Sequence, residues 1–289
     1  MNIQTLLQMN TIFISIIIEA LPFILIGVII SGIIQIFISD EMIAKFIPKN
    51  TFLSILLASF LGSIIPACEC GIVPITRRLI LKGVPLPAAI AFMMTGPIIN
   101  PIVLFSTFLA FGNSWSMVFY RGGLALIVSM IVGFILKLTM KESPLKNNLH
   151  HHPVHYRSIK ERISAMLEHS INEFFSVSKY LVIGSLLAAI VQTYIKTSTL
   201  VAIGNGPVSS HLVMMGLSYV LSLCSQADAF VAASFRSSFS TGSLLAFLVF
   251  GPMLDIKNTF MLLSTFKSKF VLFLCTIITI TVLVVTLLF

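Results

Sequence analysis

Apolar positions in this chain run on instead of alternating with polar ones. Residues 11–38 form one long apolar stretch, interrupted by Glu19 and Pro22. Residues 51–67 form a second, closing on the dense string PACECG from Pro66 to Gly71. Arg77, Arg78 and Lys82 then precede the stretch 84–111, which TGPIINP interrupts in its middle. Residues 115–136 are continuously apolar apart from Arg121 near their start. After a polar linker come 177–195, 208–223, a polar run to Ser240, 244–266 and 270–289. Runs of this kind predict transmembrane helices, each using roughly 20 residues, so the length leaves room for about eight to ten crossings. Helices satisfy their own backbone hydrogen bonds in lipid, and the absence of period-2 alternation excludes a β-barrel. The expected fold is an all-α polytopic membrane protein.

Composition sharpens this reading. The 289 residues are 57% hydrophobic and only 10% charged, against roughly 25% charged for a soluble domain. A mean hydropathy of +1.04 leaves too little polar side chain to cover a water-facing surface. The formal charge of +8 has its clearest concentration between Lys137 and Ser170, so it reads as a positive-inside signal and not as a nucleic-acid footprint. The linker is therefore expected in the cytoplasm. It ends in SIKERISAMLEHSINEFF, where Ile159, Ile163, Met166 and Leu167 oppose Lys160, Glu161 and Glu168, the pattern of an interfacial amphipathic helix. The first ten residues lack the basic segment of a cleavable signal peptide, and their lack of Lys and Arg fits an outside N-terminus.

Polar landmarks recur in order. Gly27 and Gln35 match Gly184 and Gln192; Cys68 matches Cys224; Gly96-Pro97 matches Gly251-Pro252; and Asn100 falls on Asp255, all at nearly constant separation. This predicts a duplication: repeat one over 1–138, a linker with the amphipathic helix over 139–176, and repeat two over 177–289. With a cytoplasmic linker and an outside N-terminus, each half crosses an odd number of times and the repeats are inverted, as in many secondary transporters. Pro66, Gly71, Gly96, Pro97, Pro101, Gly251 and Pro252 mark candidate helix breaks, tolerated at depth where they line a cavity or are buried in protein. Residues 51–82 are expected to form a re-entrant hairpin with PACECG at its tip.

Candidate chemistry sits at those breaks. Cys68-Glu69-Cys70 places two soft donors and one hard oxygen within reach of a single ion, and Cys224 would complete a three-thiol set for zinc, copper(I) or trivalent arsenic. Against this stands the plain alternative that membrane cysteines only pack; Cys275, without polar neighbours, reads that way. Asn100 and Gln226 add polar groups for a substrate. Asp228, Asp255 and Glu69 are costly in lipid and mark a proton or coupling-ion path, or else a structural ion pair with a base such as Lys257 or Arg236. Glu19 and Lys179 read as interfacial. The run His150-His151-His152-Pro153-Val154-His155 reads as a solvated linker with incidental metal affinity. Catalytic patterns and phosphate-binding loops are absent from the sequence, so neither an enzyme nor an ATP-driven pump is expected, and no cofactor.

Four strings, PACECGIVPITRRL, GVPLPAAIAFMMTGPIINP, CSQADAFVAASF and FLVFGPMLDIKNTFML, together resemble the bacterial predicted-permease family that includes YraQ-type proteins and the organoarsenical efflux permease ArsP. The resemblance implies a permease of the bacterial cytoplasmic membrane; the organoarsenical role belongs to a subset. No ligand role comes with the shared positions Cys68, Glu69, Cys70, Gly96, Pro97, Asn100, Asp228, Gly251, Pro252 and Asp255. The resulting expectation is a secondary transporter exporting a soft metal, metalloid or thiol-reactive molecule. The alternatives are a permease for an ordinary anion or metabolite, and one subunit of a two-protein membrane complex.

Overall fold

A computed structural model describes residues 3–37, 48, 50–64, 68–140, 144–146, 159–194 and 206–289. The described residues form α1 (Ile3–Phe37), α2 (Thr51–Ile64), α3 (Glu69–Leu81), α4 (Leu86–Thr95), α5 (Pro101–Ala110), α6 (Trp115–Thr139), α7 (Ile159–Tyr194), α8 (Pro207–Leu221), α9 (Ser225–Ser234), α10 (Thr241–Met253), α11 (Ile256–Thr265) and α12 (Ser268–Thr286). The all-α polytopic membrane class is thus observed. Five helical stretches are long and apolar enough to cross a bilayer: α1, α6, α7, residues 241–265 taken across their break, and α12. The other apolar stretches are divided into short helices. At 14 and 13 residues, α2 and α3 reach about 20 Å each at 1.5 Å per residue, short of a hydrocarbon core of roughly 30 Å.

The breaks follow local chemistry. After α4 the chain turns over Gly96-Pro97-Ile98-Ile99, and Asn100 starts α5 by accepting a hydrogen bond from the Ile102 amide at 2.9 Å, with Pro101 at the first helical position. Asp255 does the same for α11, accepting from the Asn258 amide at 2.5 Å. Cys68 and Cys224 precede α3 and α9 at their N-caps. Gly251 and Pro252 lie in the last turn of α10, and the interruption follows at Leu254-Asp255.

Gly71, expected at a break, lies inside α3. A β-carbon there would stand 2.6 Å from the Phe23 carbonyl oxygen, and one on Gly27 would collide with the Gly71 backbone. The pair lets α1 and α3 touch backbone to backbone, so Gly71 serves packing. Pro66 and the histidine run at 150–155 lie outside the described residues.

The two longest helices, α1 and α7, of 35 and 36 residues, lie antiparallel. Gln35 meets His169 at 3.2 Å and Ser31 donates to Glu173 at 2.7 Å, while Ile16 shares a core cluster with Ala188 far along both helices. The amphipathic lead-in is therefore continuous with the apolar stretch after it, not a separate surface helix. The physical reason is that its Met166 and Ser170 pack over Gly32, with Ser170 donating to the Val28 carbonyl at 3.1 Å. Ile163, Leu167, Ile171 and Phe175 remain exposed on the other side.

The helices share two ends. At one, Arg78 reaches Glu173, Gly133 packs on Ile55 and the Pro87 carbonyl, and Lys146 donates its amide to Thr265. At the other, Tyr120 stacks edge-on against Phe289, His211 lies 3.2 Å from the Thr286 carbonyl, and Gly242 packs on both elements. Accordingly α6 and α12 also run antiparallel.

Candidate functional site

Among the described residues, three carboxylates and two cations gather around the starts of α3, α9 and α11, none more than 3% exposed: Glu69, Asp228, Asp255, Arg121 and Lys257. Each carboxylate is carried at the start of a helix, Glu69 and Asp228 in the first turns of α3 and α9 and Asp255 as the cap of α11. A helix N-terminus presents about half a positive charge, which offsets part of the cost of burying an anion. The sequence punctuates its helices at depth, and the acids follow the punctuation.

Lys257 joins elements from the two halves of the chain. Its Nζ lies 3.0 Å from Glu69 Oε1 and 3.4 Å from Asp255 Oδ2, and it donates to the Ser222 carbonyl at 2.9 Å. An ammonium has three protons to donate, and three partners surround it. Glu69 also accepts from the Ser225 hydroxyl at 3.4 Å. Arg121, fully buried on α6, donates to Thr107 Oγ1 at 2.7 Å and to the Ser225 carbonyl at 2.9 Å, tying α5 and α6 to the start of α9.

Among the described residues, both oxygens of Asp228 and the Nε of Arg121 are buried without a hydrogen-bond partner. Unpartnered buried polar atoms are rare in native interiors and call for an explanation. Gly251 provides the room: a β-carbon there would stand 3.1 Å from Asp228 Oδ2 and 3.6 Å from the Ser218 hydroxyl.

The thiols lie beside this cluster. Cys68, Glu69, Cys70, Cys224 and Lys257 line one crevice with Glu19 and the α1 face around Phe23. Cys70 is buried, and Cys68 and Cys224 are partly exposed. The free volume of the crevice is about 10 Å³, room for about one water. Among the described residues no three His, Cys, Asp or Glu side chains are arranged to hold a metal ion. Asn100 spends its amide oxygen capping α5, and Gln226 is half-buried on the first turn of α9, outside the crevice lining. Cys275 sits on α12 in contact with the core.

Several participants lacked a sequence signal. Arg121 reads as a blemish in an apolar span, Glu19 as interfacial, and Lys257 as one of two candidate bases. Glu173, in an amphipathic stretch, is only 5% exposed. It accepts from Ser31 and pairs with Arg78 at 3.4 Å and Arg77 at 3.7 Å, joining α1, α3 and α7. A separate outward groove of about 540 Å³ between α5 and α6, lined by Leu104, Phe108, Trp115 and Gly122 among others, contains no ionisable side chain and offers no comparable chemistry.

Residues 5–289 match the model of a family described as predicted permease. The chain is 61% identical to the UPF0718 protein YcgR of Bacillus subtilis, over 97% of this chain and 96% of that one. It is 46% identical to a Streptococcus mutans protein named putative two-component membrane permease complex subunit, over 93% and 90% of the two chains. The UPF0718 protein YraQ of Escherichia coli is 24% identical over 41% of this chain and 34% of its own. No solved structure matches the chain.

Proposed function

The chain belongs to the predicted-permease family, and from that premise we propose that it is a secondary transporter of the bacterial cytoplasmic membrane. In this reading it exports a soft metal, metalloid or thiol-reactive molecule, with a trivalent organoarsenical as one representative. The carrying observation is that Cys68 and Cys70 from the first half share a crevice with Cys224 and Lys257 from the second. Soft thiols select soft, thiophilic species. Cys68 and Cys70 capture the cargo as the crevice opens, Cys224 joins from the facing helix start, and Asp228, Asp255 and Glu69 carry the coupling charge.

The halves act as inverted repeats in this reading. Its support is the order of elements, α1–α6 followed by α7–α12, with caps recurring at Cys68 and Cys224 and at Asn100 and Asp255. The antiparallel course of α1 with α7 and of α6 with α12 adds to it. The end bearing Arg77, Arg78, Lys82, Lys137, Lys146 and Lys267 then faces the cytoplasm and the N-terminal end of α1 faces out. The hairpin α2–α3 enters from inside and α8–α9 from outside, meeting at mid-depth.

A permease for an ordinary anion fits less well. Lys257 is engaged by Glu69, Asp255 and the Ser222 carbonyl, and the terminal nitrogens of Arg121 by Thr107 and the Ser225 carbonyl, so the buried cations are already committed within the protein. The name of the Streptococcus mutans relative favours one addition, a second membrane protein completing the transporter.

The test is toxicant resistance of cells producing wild type, Cys68→Ser/Cys70→Ser, or neither, across zinc, copper and trivalent arsenicals. Protection by the wild type that the double variant loses, at equal membrane abundance, is the expected result. Undiminished protection by the double variant against every toxicant would overturn the thiol mechanism.

A further inference from the structure

Resting on the permease reading, we propose that the interior holds one exchangeable monovalent cation, a proton or a sodium ion, and that its seat is the Asp228 carboxylate.

Charge counting gives the number. The buried cluster around the start of α9 also holds Arg121, Glu69, Lys257 and Asp255, linked through Ser225 and through Lys257. Together with Asp228 they make three negative and two positive charges, so the set is one positive charge short. An uncompensated ion in a low-dielectric interior costs several kcal/mol even after relaxation, and a cation entering from water removes that cost.

Geometry gives the place. Asp255 is held by the Asn258 amide at 2.5 Å and Lys257 at 3.4 Å. Glu69 is held by Lys257 at 3.0 Å and the Ser225 hydroxyl at 3.4 Å. Lys257 pairs with both acids and donates to Ser222; Asp255 Oδ2, 3.4 Å from the ammonium, makes no hydrogen bond, so Asp255 keeps one hydrogen-bonded oxygen where Asp228 has none. Arg121 places its two terminal nitrogens on neutral oxygens, those of Thr107 and Ser225. Asp228, 1% exposed, is left with both oxygens unpartnered among the described residues. The start of α9 supplies a fractional charge but no donor to those oxygens.

The surroundings suit a small cation. The place a Gly251 β-carbon would take is bordered by Asp228 Oδ2 at 3.1 Å and by the Ser218 hydroxyl at 3.6 Å, whose proton goes to the Met215 carbonyl at 2.9 Å and whose lone pairs stay available. Hard oxygens of this kind accept a proton or a sodium ion and have little attraction for the soft cargo expected at the thiols. The coupling ion and the cargo then use different atoms in one interior. Asp255, expected alongside Asp228 as a carrier, becomes a fixed counter-charge and a helix cap.

Infrared difference spectroscopy on the purified full-length protein in lipid nanodiscs tests this directly. Spectra are taken for wild type, Asp228→Asn, Asp228→Glu and Asp255→Asn, in choline chloride and in sodium chloride. The expected result is a protonated-carboxyl carbonyl band in sodium-free buffer that Asp228→Asn removes and Asp228→Glu displaces, while Asp255→Asn, which balances the remaining charges two against two, weakens it without displacing it. Loss of the band on adding sodium but not choline identifies sodium as the ion, and its persistence identifies the proton. A wild type with neither such a band nor a sodium response, or a band that survives in Asp228→Asn and does not move in Asp228→Glu, overturns the proposal. No cargo is present, so a protein that transports nothing in any assay still gives the band, and the two failures stay distinguishable.

Discussion

Lys257 Nζ stands 3.0 Å from Glu69 Oε1, each side chain projecting from the first turn of a helix that begins inside the molecule. The contact crosses between the halves of the chain with neither side chain more than 4% exposed. Removing one partner of a buried pair costs about 3–5 kcal/mol, because the remaining charge is stranded, whereas removing both costs much less. Glu69→Gln and Lys257→Met should each lower the melting temperature of the purified protein sharply. The double variant should lose less than the sum of the two, though not recover fully, because Asp255 is then left with the Asn258 amide alone. Thermal unfolding in one detergent across the four proteins measures the coupling, and strictly additive losses would deny it.

Gly27 and Gly71 should tolerate no side chain. A β-carbon on either strikes the backbone of the partner helix, and backbone cannot swing aside as a flexible side chain does. Gly27→Ala and Gly71→Ala are each expected to cost about 1–3 kcal/mol through overpacking, with Gly71→Leu failing to accumulate in membranes. Gly123, on α6 with nothing within 4 Å of its would-be β-carbon, supplies the control: Gly123→Ala should be neutral or stabilising. Membrane abundance and thermal unfolding together read this out.

The sequence carried the punctuation of this fold more clearly than its joinery. Recurring caps were visible because Cys68 and Cys224, and Asn100 and Asp255, stand beside polar or Gly-Pro landmarks in an apolar chain. The partners of those caps were not visible. Lys257 meets Glu69 only because α3 and α11 both start at depth, a long-range consequence that no local pattern encodes. Arg121 looked like an error in a span because its compensation, Thr107 and the Ser225 carbonyl, comes from two other helices. The unbroken course of α7 was hidden for a similar reason. Its polar residues around Ser170 and Glu173 resembled a surface stripe, but they face Val28, Ser31 and Arg78 inside the protein.

Inverted halves make a topological prediction. Ser114, at the turn between α5 and α6, lies at the end shared with Phe289, whereas Lys82 follows α3 at the opposite end. A membrane-impermeant maleimide should label Ser114→Cys in intact cells and reach Lys82→Cys only after permeabilisation. Both are judged against the wild-type background from Cys68, Cys70, Cys224 and Cys275. Labelling of both positions from the same side would remove the inverted arrangement while leaving the buried charge cluster untouched.

Glu173 should act as a clasp at the basic end. It gathers Arg77, Arg78 and the Ser31 hydroxyl, so three helices meet on one carboxylate that is nearly out of solvent. Glu173→Gln keeps the shape but removes the charge, leaving Arg78, 6% exposed, with a weaker partner. A loss of about 1–3 kcal/mol is expected, in the range of a buried hydrogen bond to a charged group. The stability loss should come with faster proteolysis at the α3–α4 turn, where Lys82-Gly83 would be freed as α3 loosens from α7. Adding Arg78→Met should reverse part of the stability loss by removing the cation whose carboxylate partner is gone. Unchanged melting and unchanged cleavage in Glu173→Gln would show that the three helices are held by packing alone.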